Sequence, residues 1–259
     1  MVARGGPRFR ELVRLFHAYD YPFPVAEAFL SIVIATTVLS VFAFGSAAQG
    51  PAGLVAANMA GVSAYIPSLF FGLLGLRNVS YGVGGWREAG DWRLYLQFPV
   101  SRSSLLSARL VSAVGLPLVL LVVGCTIGLV VAIPSVVLFE FPMVLAGLLA
   151  TLLPILLVIA GAVPLSLAIR NPSTTFFAGI FLLVGFESTS QLVIANSSGS
   201  DPSGPLLAIF APAQDLSSYL GANCVPCLPS FEAVISAEVA TALGFLVLAA
   251  RLFRNRVEV

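Results

Sequence analysis

The chain has 259 residues, of which 58% are hydrophobic and only 10% charged, with a formal net charge of +1 and a mean hydropathy of +1.00. A water-soluble domain carries about 25% charged residues, so a soluble globular fold is excluded, and no basic run reads as a nucleic-acid surface. The composition is that of an integral membrane protein.

All 13 basic residues are arginine. They fall at the N-terminus (Arg4, Arg8, Arg10, Arg14), around one loop region (Arg77, Arg87, Arg93, Arg102, Arg109), at a short link (Arg170) and at the C-terminus (Arg251, Arg254, Arg256). Between Glu27 and Arg77 lie 49 uncharged residues, and between Arg109 and Arg170 the one charge is Glu140. A spanning helix needs about 20 apolar residues, so each long gap has room for two. Crossing each gap twice brings every arginine to one side, as the positive-inside rule requires. The expected fold is therefore all-α and polytopic, a single transmembrane domain over residues 1–259 with six spans and both termini in the cytoplasm.

Residues 7–20 place Phe9, Leu12, Val13, Phe16 and Tyr19 on one helical stripe, with Arg8, Glu11 and Arg14 largely elsewhere; such a helix lies in the membrane interface. No short apolar stretch ends in a small-residue cleavage site, so the first span is expected to be an uncleaved anchor. The spans are expected at 24–45, 54–76, 105–133, 142–168, 174–195 and 230–250. The turn from Gly45 to Pro51 is uncharged and tight. Arg109, in the first turns of the third span, is expected to snorkel to the interface. Cys125 reads as a small apolar residue, and Gly124 and Gly128 form a small-xxx-small pair for close helix packing. Pro134 and the phenylalanines around Glu140 mark an outer turn, Pro154 and Pro164 are expected to kink the fourth span, and Arg170-Asn171-Pro172 makes the next inner turn.

Two regions do not span. Residues 77–104 read as a long inner loop in which Tyr81-Gly-Val-Gly-Gly85 is a flexible turn. Residues 196–229 form an arginine-free outer loop with Asp201 and Asp215. Within it, residues 205–220 are apolar but too short to cross, and read as re-entrant or interfacial. Asn196-Ser-Ser198 matches a glycosylation acceptor of weak specificity. Cys224 and Cys227 face the exterior, where they either close a small disulfide loop or stay as free thiols.

Chemistry is sparse. Without lysine there is no standard P-loop. The one histidine, His17, lies outside the spans, which leaves zinc and Ser-His-Asp chemistry without ligands or a base. No catalytic set and no metal site can be assembled. Glu187 sits about 20 Å from the inner end of the fifth span at 1.5 Å per residue, with Ser190 and Gln191 on the same face. An ionisable group at that depth faces the bundle interior or water, so these three either line a pathway or form a structural hydrogen-bonded group. Glu238 lacks such polar companions and reads as structural.

The loop from Trp86 to Arg109 alternates aromatic and charged residues, as protein-contact anchors do, although an interfacial aromatic belt has the same composition. Phe98-Pro-Val-Ser-Arg102, followed by Ser-Ser-Leu-Leu-Ser-Ala-Arg109 and a span, resembles the inner loop of type-2 ABC-transporter permeases. The likeness extends to the amphipathic N-terminal helix, the six spans and Phe210-Ala-Pro-Ala-Gln-Asp-Leu-Ser-Ser-Tyr219 before the last span. It departs from the family in having no lysine and a compact outer loop. The resemblance implies a dimer of permease subunits in the plasma membrane, each contacting a separate ATPase that holds ATP and magnesium. It implies export, a connecting helix at the N-terminus, and a coupling helix that docks on the ATPase through Trp86, Arg87, Trp92, Arg93, Phe98 and Arg102. The alternatives are a proton-coupled carrier using Glu187 and Glu238, and an intramembrane enzyme.

Overall fold

The computed structural model describes residues 9–20, 23–44, 52–97, 100–169, 171–196 and 231–256. All regular structure among them is helical. The elements are α1 (Phe9–Asp20), α2 (Phe23–Phe44), α3 (Ala52–Val79), a π-helical segment (Ser80–Gly85), α4 (Trp86–Ala89), α5 (Asp91–Leu96), α6 (Arg102–Leu110), a second π segment (Val111–Gly115), α7 (Leu116–Ala132), α8 (Pro134–Phe139), α9 (Phe141–Ala168), α10 (Pro172–Asn196) and α11 (Phe231–Arg256).

Five stretches are long and apolar enough to cross a membrane: Val25–Ala43, Val55–Ala89, Arg102–Ala132, Phe141–Ala168 and Ile235–Asn255. The chain is a multi-pass transmembrane helical protein. The expected fifth span at 174–195 falls in α10, where the apolar stretch among the described residues is the shorter Pro172–Gly185. Two expectations about the inner loop are overturned. Residues 77–104 are mostly helical, not a long loop, because α3 runs through the π segment into α4 as one 35-residue rod. That rod is about 50 Å long at 1.5 Å per residue, well beyond a hydrocarbon core of about 30 Å. The glycine stretch Tyr81–Gly85 is likewise no flexible turn: it is π-helical, and Gly82, Val83 and Gly84 are buried. Burial against other helices supplies the stabilisation that glycine's low helix propensity withholds.

Helix directions follow from the contacts. Gly124 and Gly128 of α7 lie against Val33 and Thr37 of α2, so these two helices run parallel and the glycine pair packs within the chain. Helix α3 runs parallel to α9, with Ala57 at Gly147 and Gly75 at Ile159. Helix α10 runs antiparallel to α3, with Gly179 at Leu76 and Leu183 at Gly72. Phe245 of α11 meets Gly161, and the C-terminal turns of both helices reach the α4–α5 segment, Leu167 through Arg87 and Phe253 through Trp92, so α11 runs parallel to α9. In consequence α1, the α4–α5 hairpin and the C-terminal turns of α9 and α11 collect at one end, with the described arginines. Gly53, Glu140 and Met143 meet at the opposite end.

Hydroxyls in the apolar helices turn back onto carbonyls of their own helix. Thr36 donates to Ile32, Ser63 to Ala60, Ser68 to Tyr65 and Thr126 to Val122. Lipid offers no alternative partner, so this local satisfaction is what permits them there. Helix α9 continues through Pro154 and Pro164 as one element. Each proline lacks an N–H, which leaves the carbonyls of Ala150 and Ala160 without their usual donor.

Candidate functional site

The arginine end is built around a hairpin. Helix α4 stops at Gly90, whose φ of +80° is the left-handed conformation that glycine adopts without strain, and α5 starts immediately after it. The reversal brings Trp86, Trp92 and Tyr95 onto one inward face. Trp86 stacks on Tyr95 with centroids 5.0 Å apart and planes 3° from parallel. Trp92 meets Trp86 edge-on at 5.4 Å and Phe253 of α11 at 4.9 Å. Phe16 of α1 sits edge-on to both Trp86 and Tyr95. One aromatic cluster thus ties the N-terminal helix, the hairpin and the last turns of α11 together.

Arg109 completes it. The guanidinium lies 4.4 Å from the Trp86 ring centre and 5.5 Å from that of Phe16, and its Nε donates to the Gly82 carbonyl at 3.3 Å. The residue is 2% exposed. The expected snorkelling is therefore corrected: Arg109 turns inward, since a desolvated ring face attracts a guanidinium by about 2 kcal/mol or more. Gly82 is needed for the approach, because a Cβ there would overlap the guanidinium, with Cζ and Nε both at 2.8 Å.

The two π segments have a shared use. A π turn shifts carbonyls out of the usual i to i+4 register, and such turns are frequent at functional sites. Here Trp92 Nε1 donates to Val83 O at 3.0 Å, Arg109 to Gly82 O, and Asn78 Nδ2 to Ala113 O at 3.3 Å. All three side-chain donors land on π-segment carbonyls, and they join α3, α5, α6 and the two π segments.

Two further arginines serve helix C-termini, where carbonyls lack partners and cations are favoured. Arg87 Nη1 donates to Leu167 O at the end of α9, and Arg102 Nη1 to Arg254 O at 2.8 Å near the end of α11. Ser101 caps α6 by accepting from Ser104 N at 3.1 Å.

The six residues expected at a docking surface therefore divide. Trp86 and Trp92 are buried within the chain, the latter 1% exposed. Arg87 and Arg102 reach helix ends, Arg93 is exposed, and Phe98 lies outside the described residues. The outward face of the hairpin is formed by Glu88, Arg93, Leu94 and Gln97. Leu94, at 60% exposure, was missed by the sequence reading. Its signal was its helical position: with Trp92 and Tyr95 inward, residue 94 points away.

Glu187, Ser190 and Gln191 lie in α10, but their side chains are outside the described part, as are Cys224 and Cys227. Glu238 is described. It is 3% exposed, and its Oε1 is buried without a hydrogen-bond partner. Separately, an apolar cavity of about 450 Å³ is lined by residues of α9, α10 and α11, among them Gly161, Leu165, Leu182, Phe245, Leu248 and Leu252. Cys125 accepts from Thr37 Oγ1 at 3.7 Å and is buried in the α2–α7 contact. Among the described residues no three His, Cys, Asp or Glu side chains gather as metal ligands.

Comparisons of the chain with protein-family models, with curated proteins and with solved structures find no match.

Proposed function

We propose that this chain is the permease subunit of an ATP-binding-cassette transporter, with α10 as a sixth span, both termini in the cytosol of a plasma-membrane protein, and a paired second permease. The observation that supports this reading best is the arginine end. An amphipathic N-terminal helix is packed on a helical hairpin between two spans, and the hairpin presents Glu88, Arg93, Leu94 and Gln97 outward. A cytosolic ATPase carrying ATP and magnesium would dock there. Motion of the hairpin would pass through Trp92 and Phe253 to α11, through Phe16 to α1, and through Arg109 to the third span. The rod from α3 into α4 runs without a break into the hairpin, so a displacement of the hairpin would be passed directly to that span. Export follows from the family resemblance.

The test is copurification. A stoichiometric ATPase should accompany the tagged chain from its native membrane, and the double substitution Arg93→Glu with Leu94→Glu should release it with folding intact. Recovery of the chain without any ATPase would overturn the proposal. A second reading is favoured by the buried, unpartnered Oε1 of Glu238: a carrier driven by protons, since intramembrane carboxyls are typical of proton relays. Transport in proteoliposomes under a pH gradient alone, without ATP, would select it.

A further inference from the structure

The two π segments lie opposite one another and are tied by a reciprocal pair of bonds. Asn78 stands two residues before the first segment and donates to the carbonyl of Ala113, the third residue of the second. Arg109 stands two residues before the second segment and donates to the carbonyl of Gly82, the third residue of the first. Four residues forward on one rod, from Asn78 to Gly82, match four residues back on the other, from Ala113 to Arg109. That is the register of two antiparallel helices, so each wide turn faces the other. Both donors are buried, Asn78 at 5% and Arg109 at 2% exposure. Each segment also ends on a glycine with room beside it. Nothing packs within 4 Å of a Cβ placed on Gly85, and at Gly115 the nearest atom is Val111 Cγ1 of the same segment, 3.7 Å away.

Ser80, the first residue of the first segment, shows the strain of the π register. Elsewhere in these spans a serine hydroxyl turns back onto its own helix, Ser63 on Ala60 and Ser166 on Val163. Ser80 makes no such bond: its Oγ is buried and without a partner. A buried hydroxyl left unpaired is destabilising, and an α turn offers it the carbonyl three or four residues earlier. π turns are rare and occur mostly as single turns within α-helices. Here the donors from the opposite rod stabilise the carbonyls that each wide turn displaces. We propose that the two π turns are one latch, in which Asn78 and Arg109 are positioning residues and neither turn keeps its register when the other loses its brace. Both bonds lie between the same two rods, about 6 Å apart along the axis at 1.5 Å per residue, so a rotation of either rod breaks both together. The latch is a property of the chain alone. As the joint through which a docked ATPase would move the hairpin and the third span as one, it rests on the transport reading.

Amide hydrogen exchange of the full-length chain in phosphatidylcholine nanodiscs, read by mass spectrometry over residues 76–87 and 107–117, tests the coupling. Asn78→Leu keeps the volume and deletes the donor to the second segment. Exchange there should rise about tenfold, the equilibrium factor of one buried hydrogen bond. It should rise by a similar factor in the first segment, whose own brace from Arg109 is intact. Arg109→Met should give the mirror result. Ser80→Ala removes the unpaired hydroxyl and should slow exchange in both segments. Residues 30–40, in the α2–α7 contact, should exchange as in the wild type. A rise confined to the segment that lost its brace, a rise in neither, or Ser80→Ala leaving both segments unchanged or faster would each overturn the proposal. Where the first two variants raise exchange at 30–40 as well, they have lost the fold, and the Ser80→Ala result decides. Coupled exchange in a chain that copurifies with no ATPase would keep the latch and remove the permease reading; uncoupled exchange in an ATPase-bound chain would do the reverse.

Discussion

Helix α9 meets α3 on one side and α11 on another, and the two contacts are built in opposite ways. Towards α3, Gly147 lets α9 approach the backbone at Ala57, and Gly61 lies against Thr151. Thr151 Oγ1 donates across that contact to Gly61 O at 3.3 Å. Towards α11, larger side chains hold the helices apart and leave the 450 Å³ cavity. In lipid there is no hydrophobic force between helices, so close van der Waals packing of small residues is what holds a pair. The α3–α9 pair is thus the fixed frame of the molecule. The α9–α11 pair is the face where space is left.

This contrast can be broken at graded cost. Gly147→Leu should be the most damaging change, since its Cβ would overlap the Ala57 carbonyl with the carbonyl carbon at 2.9 Å. A loss of about 3 kcal/mol or more should appear as a large fall in the SDS-unfolding midpoint. Arg109→Leu comes next. It removes the guanidinium from Trp86 and leaves the Gly82 carbonyl without that donor, at about 2 kcal/mol. Resistance of α1 to limited proteolysis should fall with it. Trp92→Phe keeps an aromatic ring against Phe253 but deletes the bond to Val83 O, costing about 1 kcal/mol in the same unfolding assay. Gly161→Ala, on the groove side, should change stability by less than about 0.5 kcal/mol, because its Cβ meets Phe245 at 3.5 Å, an ordinary contact. Equal sensitivity at Gly147 and Gly161 would erase the distinction between the two faces.

Much of the architecture was legible in the residues. Five expected spans coincide with long apolar helices to within a few residues at most ends, and the amphipathic helix at 7–20 is observed as α1. The small-residue pair Gly124 and Gly128 packs as expected. The hairpin was not legible. Charges and glycines in 77–104 look like loop signals, and locally they are. The glycines at 82 and 84 are instead tolerated in a helix because Arg109 and the Ser166 backbone occupy the space a side chain would take. Trp86 and Trp92 were expected outward for the same reason: aromatic residues beside charges suit an interface. The left-handed turn at Gly90 brings Trp92 back against Trp86.

The residues alone determined where the apolar rods lie, because rod length answers to bilayer thickness. Tertiary structure decided which side of each rod meets a neighbour. A spanning helix such as α2 or α9 is apolar all round, so its periodicity does not distinguish a helix partner from lipid. That choice rests on shape: a glycine where a backbone must come close, and a tryptophan where a π-segment carbonyl needs a donor.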